Sequence, residues 1–86
     1  MINLYKNLPT IDLHGFDREY AAYKICEFIE DNYKMKNEKL VIIHGIGSGI
    51  LKNTTQKVLK NNKLVKSYKI DNFNDGTTLV VLGKRV

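Results

Sequence analysis

Two apolar runs in this 86-residue chain end in the same dipeptide. Ile11-Asp12-Leu13 leads into His14-Gly15, and Val41-Ile42-Ile43 leads into His44-Gly45. An imidazole titrates near neutral pH, so it can take or give a proton at a reacting oxygen. Asp12 and His14 are two apart on a predicted strand, which places both side chains on one face. From there a carboxylate can orient the ring, fix its tautomer and raise its basicity. The second motif continues as His44-Gly45-Ile46-Gly47-Ser48-Gly49. Glycine-rich turns from strand to helix expose main-chain N–H groups at a positive helix end, a ready anion site. Ser48 adds a hydroxyl donor, and Lys52, one turn further on, adds a positive charge. The chemistry these residues suit is proton transfer beside a held phosphate.

Each residue also has a plainer reading. Asp12 can cap the turn into the first helix while His14 packs at its start, and for either residue alone that reading is preferred. The repeated strand–His–Gly ending shifts the balance toward function. The glycine loop does not complete the dinucleotide fingerprint: Gly45 and Gly47 fit, but Ile50 stands at the third glycine, and residues 60–70 hold no acid for a ribose. It also lacks the closing Gly-Lys-Ser/Thr of a P-loop. Asp12, His14 and His44 would make a two-histidine, one-carboxylate metal set if they converged. Nothing in the pattern requires a cofactor, and a divalent metal is a candidate. Cys26 falls on the apolar stripe of the first helix, where thiols are usually inert. Tyr5, Tyr68 and Phe73 are candidates for stacking on bases, but in so small a domain aromatics are expected in the core.

The elements that must position these groups follow from periodicity. Residues 1–9 read as an N-terminal arm ending in Pro9, and 10–86 as one domain. Thr10–His14 is the first predicted strand. A helix from about Asp17 to Met35 is capped by the Asp17 carboxylate, with Phe16 and Ala21 placed as a hydrophobic staple. Ala22, Ile25, Cys26, Ile29 and Tyr33 form its inner stripe. Lys39–His44 is a continuous β-branched run, as in a central strand. A second helix from about Ile50 to Asn61 turns Leu51, Thr55, Val58 and Leu59 inward. Leu64–Asp71 and Thr77–Leu82 are the last strands, joined by a short turn at 72–76 that predicts an antiparallel hairpin.

The order β-α-β-α-β-β implies parallel crossovers with the last strand reversed. The predicted fold class is α+β, a two-layer α/β sandwich with a mixed four-stranded sheet and helices on one face. His14 and His44, about thirty residues apart, are separated by roughly one strand–helix–strand unit. Both are then expected at the carboxyl edge of a parallel pair, where open α/β sheets hold ligands.

Composition bounds the rest. A chain this short buries roughly 60% of its unfolded surface, enough for one thin core. With a single cysteine no internal disulfide can form, which points to a reducing compartment. No apolar stretch approaches the ~20 residues of a membrane span, and the first residues lack a signal-peptide pattern. The cytoplasm is the expected location. Fourteen Lys and Arg against nine Asp and Glu give a formal charge of +5. Between Ile50 and Ile70 six lysines (52, 57, 60, 63, 66 and 69) occur with no acid. One basic half suits a polyanion through counterion release, although lysines on a small helix can also be its solvated face.

With these residues in view the chain resembles the Smr (small MutS-related) domain family. That family carries Leu-Asp-Leu-His-Gly on its first strand and His-Gly-x-Gly after its second. Here these stand as Ile11-Asp12-Leu13-His14-Gly15 and His44-Gly45-Ile46-Gly47. The resemblance covers residues 10–83 and implies a fold similar to the carboxy-terminal domain of translation initiation factor three. It further implies nicking of DNA or cleavage of RNA, with DNA, RNA or the ribosome as partners and no membrane, and membership of larger MutS-type proteins in some cases. The Asp and His of the first motif map to Asp12 and His14, and the second motif maps to His44, Gly45 and Gly47. Two departures stand out. Leu51-Lys52 replaces a frequent Leu-Arg, keeping charge but losing the planar fork. A late Gly-Gly-x-Gly-x-Thr pattern survives only as Gly76 and Thr78, with Phe73-Asn74 at the glycine pair.

The expected function is therefore a nucleic-acid endonuclease. Asp12 orients His14, which activates water or a ribose 2′-hydroxyl, while His44 stabilises charge or protonates the leaving oxygen. Gly15, Gly45, Gly47, Ser48, Gly49, Lys52, Lys57, Gly76 and Thr78 are the expected phosphate and nucleic-acid contacts. The alternative is a non-catalytic module that docks on nucleic acid or a ribosome through its lysines. A nucleotide-binding fold is a weaker third reading.

Overall fold

The computed structural model describes residues 7–83. Most of the arm expected over 1–9, Tyr5 included, lies outside those residues. Its end is already part of the sheet, because the Pro9 carbonyl accepts the Val41 N–H at 2.9 Å.

Strand β1, Thr10–Asp12, is shorter than expected. It stops because Leu13–Phe16 closes a turn, with Phe16 N–H on the Leu13 carbonyl at 3.0 Å and Gly15 at φ +83°. A residue at that φ is uncommon unless it is glycine. Helix α1, Arg18–Lys34, begins at Asp17, whose carboxylate accepts the Tyr20 N–H at 2.8 Å. Ala21 is fully buried as expected of a staple partner, while the Phe16 ring meets Tyr20 edge-on at 4.8 Å. The buried stripe is Ala21, Ile25, Ile29 and Asn32, one step from the expected set at its ends. Asn32 is tolerated inside because its amide donates to the Phe28 carbonyl and its Oδ1 accepts from Asn37.

Strand β2, Lys39–Ile43, leads to helix α2, Ile50–Asn61, with the expected bounds. Thr55 and Leu59 are buried on its inner side, and Leu51 and Val58 pack at the margin. Strands β3, Val65–Asp71, and β4, Asn74–Leu82, form the hairpin. Strand β4 starts three residues earlier than expected. Its first residues, Asn74-Asp75-Gly76, are poor strand formers, and they are held by pairing rather than by propensity: Asn74 opposes Asp71.

The sheet order is β1-β2-β4-β3. Strands β1 and β2 are parallel, and β4 runs antiparallel to both β2 and β3. Both helices supply the core on one face: Ile25 and Ile29 from α1 and Leu59 from α2 meet Leu13, Leu40, Ile42, Val65 and Val80. A two-layer α+β sandwich with a mixed four-stranded sheet results, as the residue pattern predicted. The alternation of β2 and β4 leaves Lys39, Leu79 and Val81 on the helix-free face. There they line a hollow of about 500 Å³ with Leu8, Ser67 and Lys69.

Candidate functional site

Three loops meet where β1 and β2 end. The Leu13 N–H donates to the Ile43 carbonyl at 2.9 Å, so the first motif turns away beside the end of β2. The N–H groups of His44 and Gly45 both donate to the Gly76 carbonyl at 2.9 Å, which ties the glycine loop to the start of β4. Both His-Gly pairs thus reach one rim, as their spacing predicts.

The two imidazoles are nevertheless placed differently. His14 is exposed on the Leu13–Phe16 turn, and no hydrogen bond engages its ring among the described residues. Asp12 does not touch that ring. Its Oδ1 accepts the His14 main-chain N–H at 2.9 Å. The expected carboxylate–imidazole pair is therefore replaced by a turn brace that fixes the backbone carrying the ring. The capping reading of Asp12 fits this contact, while the packed position considered for His14 does not.

His44 is only 6% exposed. Its Nδ1 lies 3.0 Å from the Gly45 carbonyl and its Nε2 lies 2.7 Å from Thr78 Oγ1. A carbonyl only accepts, so Nδ1 carries a hydrogen. Thr78 Oγ1 meets His44 Nε2 and also accepts from Gln56 Nε2 at 3.0 Å. The chain Gln56–Thr78–His44–Gly45 engages both ring nitrogens of His44 and the Thr78 hydroxyl. His44 thus has no nitrogen facing a substrate, and its expected role at a leaving oxygen does not fit this placement. Thr78 is fully buried and Gly76 is 3.1 Å, by a built Cβ, from the Gly45 Cα. Both brace the rim rather than line it, which corrects their expected place among the nucleic-acid contacts.

The glycine loop itself faces solvent. Gly45, Gly47 and Ser48 are exposed, and Gly45 and Gly49 stand at φ +76° and +85°. Gly49 begins α2 with no side-chain cap, and Ser48 Oγ reaches the Ile50 N–H only at 3.4 Å. The first turn of α2 contains no acid. Among the described residues no hydrogen bond engages the Leu51 and Lys52 N–H groups, which are open to an external acceptor, and the helix dipole favours an anion there. Lys52 is half-buried and Lys57 exposed. Among the described residues the only ion pair is Lys24–Glu27, at 2.7 Å on α1. Its hydrogen bond, then its charges, raise the Lys24 ammonium and lower the Glu27 carboxyl from their ordinary values.

Two hollows of about 420 Å³ extend the rim. One is lined by Phe16, Asp17, Arg18, Ser48, Ile50 and Leu51. The other runs between the helices past Arg18, Asn53 and Lys57, with Glu19 on the same wall. Arg18 and Ile50 belong to both. Arg18 was not among the expected contacts, though one signal marked it: a cation in the first turn of a helix opposes the dipole. Gln56 carried no such signal, because its partner lies 22 residues away. Phe73, expected in the core, is 90% exposed, whereas Tyr68 packs against the core.

No three His, Cys, Asp or Glu side chains gather as a metal cluster among the described residues. Asp12, His14 and His44 therefore do not converge, the condition on which they would have made a ligand set. Burial, with the Glu30 charge adding to it, raises the Cys26 thiol above its ordinary value, in keeping with an inert thiol. No helix among the described residues is long and apolar enough to cross a membrane.

The chain is 38% identical over 81 residues to a protein named endonuclease MutS2 from Clostridium acetobutylicum, covering 94% of this chain and 10% of that protein. It is 32% identical over 81 residues to endonuclease MutS2 of Clostridium perfringens, with the same coverage. The chain thus spans about a tenth of the length of these relatives. Its fold matches the Smr domain of Thermus thermophilus MutS2 with a TM-score of 0.85 at 24% identity, covering 88% of this chain and 99% of that one. It also matches YdaL, a stand-alone small MutS-related protein from Escherichia coli, with a TM-score of 0.81 at 20% identity, covering 87% and 64%. At those identities the structures speak to the fold alone. The description Smr domain matches residues 11–83, nearly the whole described chain, and on that match the chain belongs to the Smr domain family.

Proposed function

We propose that this domain is a nucleic-acid endonuclease that nicks DNA or cleaves RNA, alone or as a module of a larger MutS-type protein. The observation that carries the reading is the pairing of one free imidazole, His14, with an uncapped glycine turn on the same rim. The relatives named endonuclease MutS2 support it.

In this reading a phosphodiester rests on the N–H groups of residues 46–49 and the start of α2, with Gly15 beside His14 leaving its turn open to the strand. Lys52 supplies the nearby charge, and Arg18 and Lys57 hold flanking phosphates. The Asp12 carboxylate fixes the turn, and His14 takes the proton from an attacking water or ribose 2′-hydroxyl. Loop donors and Lys52 stabilise the charge that develops on the phosphoryl oxygens. The leaving oxygen receives its proton from water, since His44 is sealed. His44 acts through Gly45, holding the loop in its donor geometry.

Parallel digestion of single-stranded RNA, supercoiled DNA and branched DNA by wild type and His14→Ala, with and without chelator, tests this. Cleavage lost in His14→Ala at unchanged affinity is the expected result. A wild-type domain that cuts none of the three at any metal tested would overturn it. One observation favours the second reading, a binding module without cleavage: only one of the two imidazoles reaches solvent. That reading predicts that His14→Ala changes nothing measurable.

A further inference from the structure

The tip of the β3–β4 hairpin holds a large apolar ring almost wholly in water. Phe73 is 90% exposed, in a small domain where Tyr68 on the same hairpin is packed against the core. The tip is not a loose end. Asp71 is buried and its Oδ1 accepts the Phe73 N–H at 3.1 Å, while Asn74 Oδ1 accepts the Gly76 N–H at 2.9 Å. Through Gly76 the hairpin is bonded to His44 and Gly45, and the next residue of that loop, Ile46, is 69% exposed. Single exposed apolar residues are ordinary. Here two of them stand on loops bonded to each other, beside free main-chain donors and a half-buried lysine.

We propose that Phe73 is a base-stacking platform for an unpaired nucleotide adjacent to the phosphate on the glycine turn, with Ile46 as a second apolar contact. The inference rests on the nucleic-acid reading above and names the substrate class more narrowly: single-stranded RNA or DNA, or a strand with a splayed base. The ligand is fixed by the juxtaposition. An anion site and a flat apolar surface on one rim match a nucleotide, which carries a phosphate and a base with a π face. Within a duplex that face is already stacked, so only an unpaired base can use the ring. Base stacking on an aromatic tolerates any sequence, so the platform selects strand state rather than base identity.

The test is a binding cycle on the whole chain. Six-nucleotide RNA and DNA strands of one sequence, and the same strands with an abasic unit at each position in turn, are titrated into wild type, Phe73→Ala and Phe73→Tyr. Phe73→Ala is expected to weaken the intact strand roughly tenfold, and Phe73→Tyr to restore it. At one abasic position wild type should lose a similar factor while Phe73→Ala loses nothing more. The RNA and DNA arms show which strand uses the ring. Equal affinity of wild type and Phe73→Ala for intact strands overturns the proposal, as do losses that simply multiply. A Phe73-dependent dimer in sedimentation with unchanged strand affinity overturns it in favour of self-association. If wild type binds no strand, the endonuclease reading falls too. If it binds and cleaves without regard to Phe73, this inference alone falls.

Discussion

The carbonyl oxygen of Gly76 accepts the Gly45 N–H at 2.9 Å, and a Cβ built on Gly76 would stand 3.1 Å from the Gly45 Cα. The glycine loop is therefore seated backbone against backbone on the start of β4. Two residues 31 positions apart act as one joint, and the free N–H groups of the turn depend on it.

Gly76→Ala forces that joint apart. Two of the three nearest atoms are Gly45 main chain, which cannot swing aside, and the third is Asn74 Oδ1, so a loss of about 1–3 kcal/mol is expected, as for other overpacked sites. Urea unfolding measures it, and amide spectra should show Gly45–Gly49 shifted more than α1. At Gly45 the space is open and the obstacle is φ +76°. Gly45→Ala should cost about 1–2 kcal/mol for the left-handed backbone alone.

Thr78→Val keeps the volume of a fully buried side chain and removes its hydroxyl. Gln56 Nε2 and His44 Nε2 then lose the partner that they share. A destabilisation of about 1–3 kcal/mol follows from leaving buried polar atoms unmatched. Strand affinity should fall beyond that loss of stability, because His44 no longer holds the Gly45 carbonyl. Denaturant titration set against a binding isotherm at saturating fold separates the two effects.

Much of the fold was legible because local signals agree with it. Asp17 caps α1, Gly49 precedes α2, and the β-branched run of β2 is central, so element order and sheet type follow from short-range chemistry. The early start of β4 was not legible, since Asn74-Asp75-Gly76 extends only by pairing with β3 and the glycine loop. The site divided in the same way. Spacing brings His14 and His44 to one rim, yet spacing cannot tell an exposed ring from a sealed one. The fate of His44 is decided by Thr78 and Gln56, which are distant in sequence. For Asp12 the i, i+2 spacing allows both a partner for the His14 ring and an Asx turn to the main chain, and the turn, being the nearer option, is the one formed.

His14→Ala should leave stability within about 0.5 kcal/mol, since the ring is exposed and makes no hydrogen bond among the described residues. Cleavage should fall by roughly 10²–10⁴, the usual worth of a positioned acid–base group, with strand affinity changed little. Asp12→Asn retains an acceptor for the His14 N–H and should keep cleavage within a few-fold. Asp12→Ala removes the brace and should cost about 0.5–1.5 kcal/mol. Equal loss of cleavage in both Asp12 variants would instead assign the carboxylate charge a direct part in the chemistry.

Cys26 should react slowly with a thiol reagent at neutral pH, and far faster in urea. Burial and Glu30 raise its thiol above the ordinary value, so the folded chain keeps a proton that the unfolded chain releases. Stability is thus unaffected below the ordinary thiol range and falls as pH rises through it toward the raised folded value. Cys26→Ala should flatten that alkaline decline, which thermal melts across the range would show.

Salt dependence separates the phosphate contacts from the chemistry. Arg18 lines both hollows at the rim and Lys57 lines the one between the helices, and neither has an ion-pair partner among the described residues. Each phosphate neutralised on a single strand contributes about 0.7 to the slope of log K against log salt. Arg18→Ala and Lys57→Ala should each lower that slope by about this amount and weaken all sequences alike. Lys66 and Lys69 lie on the edge strand β3, where lysines discourage strand pairing, so Lys66→Ala should leave the slope unchanged. A slope that falls equally for all three variants would mean that the whole basic half, rather than the groove leading from the glycine turn, attracts the strand.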